Sequence, residues 1–591
     1  MIRDIYIKGI AAGAADTDIE VNGVAEGSVG VGSTLDIQLT DGVDPVTPDA
    51  VVLVGTTLTI EVPSGGGWVR TADWLTMPAL TSSDEEIAIL HAVWNNDNNY
   101  AAFRCTTSAG NYDVDWGDGT TTSHASNTTA EHQYNYATYD VGGATLSTRG
   151  YKQAIIRITP STGTLATFSS NFKYTGQNQN YATGFLDVLL SMPSATSGQS
   201  ILFQSSNRYL EQVHILNSGA MANASYMFQG CNSLQNVPLF DTSSVTIMSS
   251  MFIGCNSLQS VPLFDTSIVT NMSSMLQNCT SLQSVPLFNT SIVTNMSSML
   301  QNCTSLQSVP LFNTSIVTNM SSMLQNCTSL QSVPLFNTSI VTNMSSMLQN
   351  CTSLQSVPLF NTSIVTNMSS MLQNCTSLQS VPLFNTSIVT NMSSMLQNCT
   401  SLQSVPLFNT SIVTNMSSML QNCTSLQSVP LFNTSIVTNM SSMLQNCTSL
   451  QEIPLFNTSS VINIGFLVTA CTALQSLPLL DTSSVTSMSG MFQACSSIKE
   501  IPTLVTTNVS NMTNFAILCW SMSKTDIVCR ASVNFLNNQL SQAELVNIFN
   551  NLLDRTLLAA ANINITGNYG ASALTVPERA IATAKNWTIT G

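Results

Sequence analysis

The stretch LFNTSIVTNMSSMLQNCTSLQSVP, residues 287–310, recurs without change through residue 430, giving six identical 24-residue copies in tandem. The unit before it differs only at Asp265, and the unit at 431–454 differs only at Glu452 and Ile453. Degenerate copies extend the array both ways, and cysteine marks the register from Cys231, Cys255 and Cys279 every 24 residues to Cys519, thirteen in all. A fixed period of this length is the mark of a solenoid, in which each repeat is one coil. A single coil buries too little apolar surface to offset the entropy of ordering it, so the stability must lie in the interfaces between coils.

Within the unit, Leu282, Val285 and Leu287 repeat the spacing of Leu210, Val213 and Ile215 and of Leu234, Val237 and Leu239. This is the L-x-x-L-x-L pattern of a leucine-rich repeat, and its alternation predicts a short strand with Val285 and Leu287 facing inward. Met296, Met299, Leu300 and Cys303 fall at i, i+3, i+4 and i+7. That spacing predicts a short helix with four apolar side chains on one face and Asn295 as its N-cap. Each coil thus reads as strand, turn, short helix, turn. Thirteen coils at ~4.8 Å would stack into a parallel-sheet wall on the order of 60 Å long.

The segments Met299-Leu300-Gln301-Asn302-Cys303, Met227-Phe228-Gln229-Gly230-Cys231 and Met491-Phe492-Gln493-Ala494-Cys495 carry a further signal. With the Thr-Ser-Leu-Gln-Ser-Val run that follows Cys303, they resemble the repeats of BspA-like bacterial surface leucine-rich-repeat proteins. The resemblance covers about half of the chain and implies surface adhesion and host contact without naming a ligand. Residues 210–519 are assigned to this solenoid.

The flanks read differently. Residues 1–63 hold short alternating runs, Leu35–Leu39 and Leu58–Val62 among them, and are expected to form a small β module that attaches the protein to a particle. Ser64-Gly65-Gly66-Gly67 is a flexible linker, residues 64–67. Residues 68–160 contain Val114-Asp115-Trp116-Gly117-Asp118-Gly119-Thr120 followed by His132 and Tyr134. This resembles the W-x-F-G-D-G…H-x-Y pattern of PKD-type immunoglobulin-like sandwiches, with one position missing between Trp116 and Gly117, and implies a spacer or weak glycan-binding module. Residues 161–209 read either as early irregular coils, an N-terminal cap, or as a β-rich adaptor. Residues 520–591 are expected to cap the stack. Ser541-Gln-Ala-Glu544 opens a helix through about Leu553, Asn562–Ile565 is a strand, Pro577 starts a second helix, and Trp587–Ile589 is a closing strand. The ending, Ile563 to Asn568 and Ala580 to Thr590, resembles the closing segment of some phage-encoded repeat proteins. The fold class expected is therefore mainly β with some α, a leucine-rich-repeat stack preceded by small β domains.

Charge narrows the function. Only 8% of residues are charged, against roughly 25% in an ordinary domain, and the net charge is -16. An acidic chain lacks the basic footprint that nucleic acid or anionic lipid needs, and no apolar run is long enough for a membrane span. Between Asp265 and Glu452 there is no Asp, Glu, Lys, Arg or His. General acid–base chemistry needs such a group, so the array cannot supply it and no enzyme, catalytic residue, metal site or cofactor is expected. Asp113, Asp115 and Asp118 superficially suggest a calcium loop but lack its progression and its distant bidentate Glu. The cysteines read as small buried side chains. The Thr290, Ser291 and Thr294 files read as an outward face made soluble without charge.

The surface expected to meet a ligand or a neighbouring subunit is the file that alternates with the inward leucines: Ser284, Pro286, Phe288, Phe312, Phe336, Phe360, Phe384 and Phe408. Leu216, Leu480 and Leu504 keep the phenylalanine column apolar, which equally fits a core position. The start of the chain shows no secretion signal. These features together point to a bacteriophage fibre or spike subunit. It would be held to virion proteins by its N-terminal module, contact a host surface glycan or protein, and assemble as a homotrimer. A bacterial cell-surface or matrix adhesin is the alternative, and a polysaccharide-degrading spike stands third.

Overall fold

The structure is a computed structural model. It describes residues 70–591, except 96–98, 140–145, 173, 176–182, 196–197 and 205–206, and four short strands before them. Those are β1 (Ile5–Lys8), β2 (Asp18–Val21), β3 (Leu35–Ile37) and β4 (Leu58–Ile60). β1 pairs with β2 and β3 with β4, both antiparallel, the second with Leu35 opposite Ile60. The linker expected at 64–67 lies outside the described residues. The chain divides into two units, Met1–Ala72 and Asp73–Gly591.

The second unit begins with a curled sheet. Its strands are β5 (Glu86–Val93), β6 (Tyr100–Asp115), β7 (Thr121–Ala125), β8 (Thr129–Gln133), β9 (Lys152–Ser169), β10 (Phe185–Ser191), β11 (Ile201–Leu202) and β12 (Gln212–Asn217). The order is β12-β10-β5-β9-β6-β7, with β11 on β9 and β8 on β6. The sandwich boundary expected at 160 falls inside β9, and residues 161–209 supply β10 and β11 to the same sheet. The cause is β5, which is buried along all eight residues. The backbone N–H and C=O groups of a strand buried throughout need hydrogen-bond partners, which neighbours on both edges supply. β9 and β10 provide them, both antiparallel.

β12 links this sheet to the array, pairing in parallel with β10, and Gln212 bridges Asn236 of the next coil. A ring stack follows the same path, with Phe203 5.6 Å from Phe228 and Phe228 5.2 Å from Phe252. From there the chain is a leucine-rich-repeat-like β-solenoid. Val285, Met296, Met299, Leu300, Cys303 and Leu306 of each unit are buried, and one continuous core runs through all coils.

The coil itself differs from the expected strand-and-helix plan. Asn271, Asn295, Asn319 and their equivalents form a file of parallel bridges from coil to coil. From Met296 onward, alternate N–H groups donate to the next coil: Ser298 to Ser321 O at 2.9 Å, Leu300 to Met323 O at 2.9 Å and Asn302 to Gln325 O at 2.7 Å. The groups between them close tight turns, Met299 N–H to Met296 O and Cys303 N–H to Leu300 O. Ser298 and Asn302 sit at φ +54° and +62°, the left-handed region, where a helix cannot continue. The four apolar side chains still share one face, but a run of turns laddered to the next coil puts them there. Asn295 caps this run as an Asx turn, its Oδ1 accepting from Ser297 N–H at 3.0 Å.

After the array, β13 (Glu500–Ile501) and β14 (Lys524–Thr525) pair in parallel. Beyond them β15 (Val533–Asn534), β16 (Ala561–Asn564) and β17 (Trp587–Thr590) form a parallel sheet, with helices α1 (Gln542–Asn550) and α2 (Val576–Thr583) packed together. Ser541 caps α1, its side chain accepting from Glu544 N–H at 3.2 Å. The Glu544 carboxylate turns away from the expected reciprocal bond and accepts from Thr525 N–H instead. The full capping box belongs to α2, between Thr575 and Glu578.

Candidate contact surface along the repeat array

The expected contact file divides when the coil closes. Ser284 is exposed and Pro286 half-buried, but Phe288, Phe312, Phe336, Phe360, Phe384 and Phe408 are core residues at 1–2% exposure. Leu287, expected inside, lies outside at 56%. Proline explains the exchange. It has no N–H to give a ladder, and here Phe288 N–H folds back to Pro286 O at 2.9 Å in a three-residue turn. That turn swings Leu287 outward and Phe288 inward. The chain contains its own control in β12, where His214 stands at the proline position. There the alternation holds, with Ile215 buried and Leu216 exposed.

The result is a file of eleven leucines from Leu239 to Leu479, each 56–64% exposed, flanked by isoleucines from Ile268 to Ile436. Burying a leucine fully is worth ~1.5–3 kcal/mol at ~25 cal/mol per Å², so each carries on the order of 100 Å². The file therefore exposes on the order of 700 Å² of apolar surface, above the roughly 300–600 Å² of the largest patch on a typical monomer.

The phenylalanine rings measure the spacing beneath this file. Successive rings lie 6.4–6.5 Å apart and turn by only 5–8°. Bridged strands such as those at Asn295 generally sit ~4.8 Å apart. The laddered run that follows Asn295 carries half-buried Ser297, Ser298, Gln301 and Asn302. A polar groove of about 740 Å³ opens near the end of the exact repeats, lined by Gln427, Ser428, Ser449, Gln451, Glu452, Gln475 and Ser476.

The remaining candidates are structural. Thr290, expected outward, is buried and donates to Asn313 O of the next coil at 2.7 Å, whereas Ser291 and Thr294 are exposed. The fifteen cysteines are free and buried. Those of the array donate to a carbonyl of the preceding coil, as Cys303 does to Leu276 O at 3.2 Å. Burial raises their pKa values, Cys351 to about 12. The tryptophan motif forms one cluster: Trp116 stacks on His132 at 4.8 Å, His132 meets Asp118 at 2.7 Å, and the Tyr134 hydroxyl donates to Trp116 O. Burial opposes the Asp118 carboxylate, but hydrogen bonds from Thr120 and then His132 outweigh it and hold its pKa below the ordinary value. Gly117 lies so close to Ile155 that a Cβ would come within 2.5 Å of its carbonyl oxygen. Among the described residues, no group of three or more His, Cys, Asp or Glu is placed to hold a metal ion, and no helix is long and apolar enough to cross a membrane.

Among solved structures, the crystal structure of a leucine-rich repeat protein from Eubacterium ventriosum is similar over 58% of this chain and 94% of its own, at 14% identity and a TM-score of 0.34. A search of curated proteins finds no match. A family profile described as "Mycoplasma protein of unknown function, DUF285" matches residues 222–334, 329–431 and 426–525, consecutive segments that together span just over half of the chain. The chain belongs to that family.

Proposed function

We propose that the protein is a non-enzymatic interaction subunit, a bacteriophage fibre or spike component that holds its repeat array out to a host surface. The observation that carries this reading is the exposed leucine file: a long, uncharged, apolar contact surface repeated once per coil. Identical coils suit a rod whose reach changes by whole units, because each added coil brings its own interface. In this reading the N-terminal module binds virion proteins, the curled sheet with its Trp116–His132–Tyr134 cluster is a PKD-like spacer, and the leucine file meets a host surface glycan or protein. Copies join as a homotrimer through an uncharged flank of the array.

Leu311→Ser, Leu335→Ser and Leu359→Ser together should leave the fold intact and lower binding of the purified protein to host cells at least tenfold. Unchanged cell binding would remove the leucine file from the reading. Antibody against the repeats should label virions in electron micrographs. Labelling of the bacterial envelope with bare virions would favour the second reading, a cell-surface adhesin, which the resemblance of the repeats to BspA-like proteins supports. A monomer mass in light scattering would rule out the trimer.

A further inference from the structure

Where the array meets its cap, a second cleft of about 470 Å³ opens, within the ~300–1,000 Å³ usual for small-molecule sites. Its lining contrasts with the chain around it. The protein has 31 acidic and 15 basic residues, yet Arg530 and Arg555 line this cleft and no aspartate or glutamate does. The lining also includes hydroxyls and amides, Ser510, Asn511, Thr513 and Ser532, and apolar Val509 and Ala561.

The two arginines are held differently. Arg555 is fixed by the backbone, Nε donating to Ala559 O at 2.8 Å and Nη1 to Arg530 O at 2.7 Å. Three of its five guanidinium donors, both on Nη2 among them, are left unused by these bonds. The Arg530 guanidinium makes no hydrogen bond or ion pair among the described residues, and its Nε is buried without an acceptor. A buried donor of this kind calls for an explanation, and an anionic acceptor supplies one.

We infer that this cleft binds an acidic saccharide, its charged group between Arg530 and Arg555 and its hydroxyls on the Ser510, Asn511, Thr513 and Ser532 wall. Arginine matches a carboxylate or sulfate in a forked, two-bond geometry, and hydroxyl and amide side chains match a polyol. The site uses only residues of the last coil and the cap. It stands or falls separately from the leucine file and from any particle the protein is part of.

The test is calorimetric titration of the full chain with three probes: a galacturonic acid trimer, a sulfated galactose trimer and a neutral galactose trimer. At least one acidic probe should bind tenfold or more tightly than the neutral one, and more weakly as salt is raised. The acidic probe that wins identifies the charged group. Arg530→Gln should abolish the preference at a nearly unchanged melting temperature, because it breaks no hydrogen bond or ion pair among the described residues. Arg555→Lys should weaken it as well. Equal binding of all three probes, binding of none, or a preference that survives Arg530→Gln would overturn the inference.

Discussion

Replacing Phe384 by alanine and, separately, its neighbour Leu383 by alanine asks the array which of the two side chains holds the coil. Phe384 is 1% exposed and stacks 6.5 Å from both Phe360 and Phe408, while Leu383 is 59% exposed. Emptying a fully buried phenylalanine site costs about 3–5 kcal/mol. Leucine to alanine in a core costs about 2–5 kcal/mol, and with only about four-tenths of the residue buried the loss at Leu383 should be about 1–2 kcal/mol. The flanking coils are identical, so both variants are read against the same background. Denaturant titration gives the two losses, and hydrogen exchange of the peptide that carries the substitution, unique among the identical copies, reports its own coil. Phe384→Ala should raise exchange in that peptide, and Leu383→Ala should leave it almost unchanged. Equal losses, or a larger loss at Leu383, would refute the inverted placement and restore the simple alternation of Val285 and Leu287.

Three further outcomes are expected. Thr386→Val strips a buried donor from Asn409 O, now at 2.7 Å, and should cost about 1–3 kcal/mol by denaturant titration, with nothing comparable for exposed Thr390→Val. Burial raises the thiol pKa values, Cys471 to about 12, so the folded chain keeps protons that the unfolded chain releases near pH 8.5. That stability is complete below about pH 8.5 and lost as pH rises above it; thiol reagents should stay silent at pH 8 until denaturant is added. His91 is fully buried, and burial first, then the His132 charge, lowers its pKa to about 3. Its contribution is complete above about pH 6.5 and lost as pH falls toward 3, by roughly 1.4 kcal/mol per pH unit. His91→Phe should flatten the acid limb of the sheet's melting curve; an unchanged limb would place the titration elsewhere.

How far the molecule could be read in advance depends on where the information lies. The period, the register and the core columns at Leu282, Val285, Met296, Met299, Leu300 and Cys303 are local patterns, and the structure buries them all. The exchange of Leu287 and Phe288 turns on one proline, and comparing Pro286 with His214 in the first coil would have exposed it. The turns at Ser298 and Asn302 were less accessible. A serine in the left-handed region is costly by itself, and its N–H bond to Ser321 O of the next coil helps hold it there, a partner 23 residues away that local spacing within the turn does not reveal. The same limit hid the cleft at Arg530 and Arg555, which are brought together by the parallel pairing of β15 with β16. The tryptophan motif, in contrast, marked a real cluster, although the sheet around it reaches beyond the boundary drawn at 160.

The side-chain amides lend the array one more property. Gln397 donates to Gln421 at 2.6 Å and Gln421 to Gln445 at 2.8 Å, a chain pointing toward the C-terminus. Asn446 donates to Asn422 at 2.6 Å and Asn422 to Asn398 at 2.5 Å, a chain pointing the other way. Each chain alone would sum its dipoles and leave partial charges at its two tips, as a long helix does. Run in opposition on one face, they cancel to a large extent, so no polarity builds up with length. Insertion or loss of a coil then leaves the electrostatics of both ends as they were, and a tandem gene can lengthen or shorten its product by recombination without disturbing the pieces on either side.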